Sequence, residues 1–75
     1  MKVYVRDFKS LGSFIRTLRK RLALSQEELA EVLMVHRQSV SLWECNRAGP
    51  RTRTLKHLCE LAEVDYTEAV QKWYS

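Results

Sequence analysis

Cysteine appears only as Cys45 and Cys59, proline only as Pro50, and glycine only as Gly12 and Gly49. Two thiols with no secretory leader do not make a disulfide framework. They read as structural groups, and Cys59 falls where helix packing wants a small apolar side chain. His36, Cys45, His57 and Cys59 show neither a CxxC nor an HxxxH spacing, so no metal and no other cofactor is expected. No apolar run approaches the ~18 residues of a membrane span and no signal-peptide core is present, which points to a cytoplasmic chain without a membrane segment. Internal repeats and low-complexity stretches are also missing, which removes solenoids and tails. Nor does the sequence hold a nucleophile–base pair, a phosphate-cradling loop or a carboxylate pair in a plausible pocket. Neither catalysis nor a small-molecule ligand is expected.

What remains is an ordinary globular composition, 45% hydrophobic and 29% charged over 75 residues. A chain of that length makes one domain and buries only about 60–65% of the surface its unfolded form exposes. The net charge of +4 is laid out in blocks. Residues 1–24 carry seven cations and one anion, 25–36 three anions, 37–56 five cations and one anion, and 57–75 one cation and four anions. Clustered Lys and Arg release condensed counterions from DNA, so the two basic blocks are expected to face phosphates and the two acidic blocks to look outward.

The most complete local signal is LSQEELAEVLMVHRQSVSLWE, residues 24–44. Ser25 and Glu28 form a capping box, with Leu24 and Leu29 as the hydrophobic staple around it, so a helix is predicted from Gln26. Leu29, Ala30 and Leu33 keep helical spacing as far as Met34 and Val35. Val35 and Val40 can staple a second start just past His36. The connection is then about three residues, the length that holds two helices at a steep angle in a helix-turn-helix. At roughly 100° per residue, Arg37, Gln38, Ser41 and Leu42 share one arc of the second helix, and Ser39, Val40, Trp43 and Glu44 share the other. The first arc suits the major groove of double-stranded DNA. Arg donates twice to a guanine edge, Gln pairs with adenine, and Leu or Ser lies against a thymine methyl. The plainer alternative is a solvated helix face.

Elsewhere, MKVYVRDF is compatible with a short strand or with a mobile arm, Val3 and Val5 on one side and Tyr4 on the other. The domain proper is expected over 10–75, with 1–9 as the arm. Ser10 can cap a helix whose narrow apolar stripe is Leu11, Phe14, Ile15, Leu18 and Leu22, leaving Arg16 and Lys20 outside and Arg19 at the edge. CNRAGP ends the second motif helix, with Asn46 able to take a left-handed cap. A loop to about Thr52 leads into a helix bearing Leu55, Leu58, Cys59 and Ala62. Asp65 and Glu68 give a further capping box for a short last helix with Tyr66, Ala69, Val70 and Trp73. The count is five helices.

Arg19, Ser25, Gln26, Leu29, Ala30, Val35, Val40, Trp43, Glu44 and Pro50, in this register, resemble the Cro and phage-repressor (XRE) family of helix-turn-helix proteins over about residues 11–65. The resemblance implies an all-α, five-helix, lambda-repressor-like DNA-binding domain with a short N-terminal arm or strand. It implies base reading by Arg37, Gln38, Ser41 and Leu42, and backbone or minor-groove contacts by Gln26, Ser39, Asn46, Arg47 and Arg51. Gln26 is implied to cap onto a phosphate, favoured there by a helix N-terminus, and to brace a reading-helix side chain, the matching position being Gln38. Arg19 and Glu44 match a pair that forms a largely buried salt bridge, which makes Glu44 scaffold. Three positions depart from the family: Met34, Asn46 and Glu63 stand where glycine is usual. Asn46 is an easy substitute, but a left-handed Met34 costs roughly 1–2 kcal/mol, so a remodelled turn is expected there. Leu42 replaces the commoner polar residue and either touches a thymine methyl, the preferred reading, or packs.

One reading helix touches few bases, so such domains bind as two-fold dimers on half-sites about one helical turn apart. Tyr66, Val70, Trp73 and Tyr74 are the expected homodimer surface, the alternative being that Trp73 closes its own core. The function expected is a sequence-specific, autoregulatory transcriptional repressor on a palindromic operator. The rival is an antitoxin-like module that sequesters a protein partner and binds its own promoter as well.

Overall fold

The computed structural model describes residues 1–6 and 9–74. Five helices follow in order: α1 (Leu11–Arg21), α2 (Gln26–Leu33), α3 (Arg37–Glu44), α4 (Thr52–Ala62) and α5 (Tyr66–Trp73). Among the described residues there is no strand. The all-α, five-helix expectation therefore holds, and each helix begins within a residue of its predicted start.

The starts differ in how they are capped. Ser10 Oγ accepts from Ser13 N at 3.0 Å. At α2 the full box forms, with Glu28 N donating to Ser25 Oγ at 3.0 Å and Ser25 N to Glu28 Oε1 at 2.8 Å. The box expected at Asp65 does not form: Asp65 is the N-cap of α5 but makes no side-chain capping bond. Asp65 is exposed, so solvent can meet its carboxylate at little cost.

The helix ends share one device. Ala23, Met34, Asn46 and Glu63 all lie in the left-handed region, with φ of 59°, 59°, 58° and 56°. Each closes the same pair of bonds. After α2, Val35 N reaches Ala30 O at 2.9 Å and Met34 N reaches Glu31 O at 3.2 Å, and equivalent pairs follow α1, α3 and α4. This is the Schellman arrangement, in which a left-handed residue lets two backbone amides return to otherwise orphaned carbonyls. The turn at Met34 is thus not remodelled, contrary to expectation. The two returning hydrogen bonds and the tight α2–α3 junction outweigh the strain of a side chain at positive φ. Ala23 does the same at a position where no glycine was missed from the pattern.

Phe14, Ile15 and Leu18 of α1, Leu29 of α2, Val40 of α3, and Leu55 and Leu58 of α4 are fully buried and make the centre of the core. The N-terminal residues join them as an extended segment. Val5 is fully buried, Val3 is half-buried and Tyr4 faces out. Val3 N donates to Leu61 O at 2.8 Å and Val5 N to Ala62 O at 3.3 Å, satisfying carbonyls that the end of α4 leaves open. The described part of the expected arm is therefore docked, with the predicted alternation but without a partner strand. Asp7 and Phe8 lie outside the described residues.

Glycine serves close approach and not backbone freedom. A Cβ at Gly12 would stand 2.7 Å from both Glu44 O and Trp43 O. The first turn of α1 thus lies directly on the last carbonyls of α3. Asn46 Oδ1 accepts from Gly12 N at 3.0 Å, so the residue that ends α3 also caps α1.

Candidate nucleic-acid interface

The interface is built on α2 and α3, joined by Met34, Val35 and His36. On α3, Val40, Trp43 and Glu44 are buried, Ser39 and Ser41 are half-buried, and Arg37, Gln38 and Leu42 are exposed. Leu42 keeps 44% of its surface open, on the exposed side of α3. Arg37 and Gln38 make no side-chain hydrogen bond or ion pair among the described residues. Ser39, assigned to backbone contact although its arc faces the core side, sits at the border between the two faces. Beyond α3, Asn46, Arg47 and Arg51 are exposed on the loop that leads to α4. Asn46 is committed to Gly12, so its side-chain oxygen is occupied within the domain and only its amide NH2 is left to face a ligand.

Glu44 holds this surface in place. It is 4% exposed, and its carboxylate accepts from Arg19 Nε at 2.6 Å and Arg19 Nη2 at 3.2 Å, a two-pronged contact. Arg16 Nε lies 3.6 Å away, and Gln26 Nε2 donates to the same carboxylate at 3.1 Å. Burial alone would raise the Glu44 carboxyl. The hydrogen bonds from Arg19 and Gln26, with the charges of Arg19 and Arg16, outweigh it and hold the group below the ordinary carboxylate range. The bond to Glu44 correspondingly raises Arg19 above its usual value, against the opposing effect of burial. Arg19 also donates to Leu24 O at 2.9 Å, tying the α1–α2 turn to the same centre. One carboxylate thus joins α1, α2 and α3, and the predicted Arg19–Glu44 pair is present as buried scaffold.

Sequence reasoning missed two features. Gln26 does brace a side chain of α3, but the side chain is Glu44 and not Gln38. Beyond the expected Arg19 pair, further cations of the first basic block are also turned inward or aside: Arg16 to Glu44, and Arg21 to the carbonyl of Tyr4. The positive charge offered to a ligand is therefore carried by Arg37, Arg47, Arg51 and Arg53, all exposed, more than by α1.

The residues expected at the dimer surface lie on and after α5. Tyr66 and Val70 are half-buried beside the core. The Trp73 ring packs on Phe14 with centroids 4.9 Å apart, so at least one face of it closes the domain's own core. Tyr74 remains 48% exposed while its hydroxyl donates to Pro50 O at 3.0 Å. Burial, then the nearby Tyr66, raises that phenol. Cys59 is buried and its thiol is pushed up to about 11, chiefly by burial, which suits an inert packing group. Among the described residues no group of three His, Cys, Asp or Glu could hold a metal ion, and no helix is long and apolar enough to cross a membrane.

A comparison with curated proteins finds no match. The model of the helix-turn-helix family matches residues 15–68, more than two thirds of the chain and the whole of α2, α3 and α4. Two helices at a three-residue turn, an outward polar arc on the second, and a lambda-repressor-like set of five helices are what that family uses to bind DNA in transcription regulation. On this fold and this match, the chain belongs to the Cro/C1-type (XRE) helix-turn-helix family of DNA-binding regulators.

Proposed function

We propose that the protein is a sequence-specific repressor that binds a palindromic operator as a homodimer and controls its own operon. Phage switches, restriction–modification systems and anti-defence operons all use such small regulators. The observation that carries this reading is the division of α3, with Val40, Trp43 and Glu44 locked inward and Arg37, Gln38 and Leu42 open. A helix so anchored presents its outer arc with little freedom to lose on binding. Arg37, Gln38, Ser41 and Leu42 read base edges in the major groove. Gln26, Ser39, Asn46, Arg47 and Arg51 hold phosphates or the minor groove and set the register. The N-terminal amides of α2 favour a phosphate beside Gln26. The second copy docks through the exposed parts of Tyr66, Val70, Trp73 and Tyr74, which sets two reading helices about one turn of DNA apart.

Selection of binding sites from random duplexes tests this, since half-site sequence, symmetry and spacing emerge together. Arg37→Ala is expected to lower affinity for the selected site by about 1–3 kcal/mol and to relax one base pair per half-site. Arg47→Ala is expected to weaken all duplexes alike with a shallower salt dependence. An Arg37→Ala variant with unchanged base preference would remove that residue from the reading set.

A further inference from the structure

Beside the outward arc of α3 lies a half-open groove of about 920 Å³, bounded by α2, the α2–α3 turn, the 48–51 loop and the first turns of α4. Val32, Val35 and Leu42 line its apolar side, and Met34, 91% exposed, stands at its lip. Arg51, Arg53 and His57 line it as well, and no carboxylate is among the lining residues. Apolar side chains beside two arginines, with no carboxylate among them, match a ligand that brings large apolar side chains together with negative charge. DNA supplies the charge, but its largest apolar projection toward a reading helix is a thymine methyl, far smaller than this space. A protein segment with acidic and bulky apolar residues on one face supplies both.

We infer that this groove is a docking site for an acidic amphipathic segment of a partner protein, whose binding excludes DNA. The exclusion follows from shared residues, because Ser39, Leu42 and Arg51 line the groove and also belong to the proposed DNA face. That regulatory consequence, though not the docking itself, rests on the DNA reading above. The negative charge of the segment adds to the steric conflict by repelling phosphates at the same wall. A regulator whose described residues form a single small domain would thereby gain a release mechanism through its own reading surface.

The test is a titration of the isotope-labelled full chain with a panel of short peptides. Each carries leucine, phenylalanine or tryptophan at helical spacing on an otherwise glutamate-rich background, and each is matched by a lysine-rich version. Acidic members are expected to shift the amides of Val32, Val35, Leu42 and Thr54, to bind at least tenfold more tightly than their lysine counterparts, and to displace a fluorescent duplex. Arg53→Glu, an exposed change whose spectrum reports retained folding, is expected to reduce peptide binding at least tenfold. The docking proposal is overturned if no acidic peptide moves those amides, if the lysine versions bind equally well, or if Arg53→Glu leaves binding unchanged. Peptide and duplex bound together would overturn the exclusion. Peptide docking in a chain that binds no duplex would instead sink the DNA reading and leave the groove assignment standing.

Discussion

Gly12→Ala separates helix propensity from tertiary packing, because the two demand opposite signs. Alanine is favoured over glycine inside a helix by about 1 kcal/mol, so α1 considered alone should gain. In the folded domain the new Cβ would stand 2.7 Å from two backbone carbonyl oxygens of α3, at Trp43 and Glu44, and 2.9 Å from Asn46 Oδ1. Only the last of these belongs to a side chain that can turn away, and turning it would break its bond to Gly12 N. The helices must therefore separate by several tenths of an ångström along their closest contact, an overpacking that costs typically about 1–3 kcal/mol. Taking the upper end because backbone is involved, the net loss is about 2 kcal/mol, or roughly 8–16 °C in a domain of this size. Thermal and urea unfolding followed by circular dichroism measure it. A variant as stable as the parent, or more so, would refute the close α1–α3 approach and leave Gly12 a mere poor helix former.

Met34→Gly is expected to stabilise the domain by about 0.5–1 kcal/mol in the same melts, since relief of a left-handed non-glycine residue slightly exceeds the added entropy of the unfolded chain. Met34 is 91% exposed, so the domain loses almost no packing. Arg19→Ala should cost about 3 kcal/mol or more by urea titration, because Glu44 would stay buried with only Gln26 and the more distant Arg16 to meet its charge. The pH dependence has a definite sign. Glu44 titrates lower in the folded than in the unfolded chain, so its stabilisation is fully present above the ordinary carboxylate range near 4.5 and is lost as pH falls through the folded value. Melts taken from about pH 6 down to about pH 3 should show that loss, and Glu44→Gln should be less stable at neutral pH with a flatter acid limb.

Local chemistry makes the helices legible in the sequence. Ser25 with Glu28, and the apolar spacing of Leu29, Ala30 and Leu33, specify α2 within a few residues of chain, and the structure contains those contacts. The inward and outward arcs of α3 were likewise set by a single angular period. Of the features that depend on distant partners, the Arg19–Glu44 pair is implied by family resemblance alone, and the others are not legible. Gln26 turns to Glu44, eighteen positions away, and Asn46 caps an amide thirty-four positions back. Nothing within either neighbourhood distinguishes those partners from solvent or from DNA. The left-handed Met34 differs from expectation for a related reason: its strain is offset by the two backbone bonds that its conformation closes. Asp65 and Glu68 have the right types and spacing for a box, yet a pattern shows only that a bond can form, not that it outcompetes water.

The docked N-terminal segment changes what counts as the minimal portable unit. The stretch recognisable by family pattern starts at residue 15, yet Val5, Leu11 and Phe14, all buried, come before it. A reading head excised at the recognisable boundary and grafted elsewhere would keep every residue that is proposed to touch a base. It would lose the plug that fills one side of its interior and the two amides that finish α4. Grafts of this head should carry residues 1–14, since its address-reading surface rests on an interior that this stretch completes.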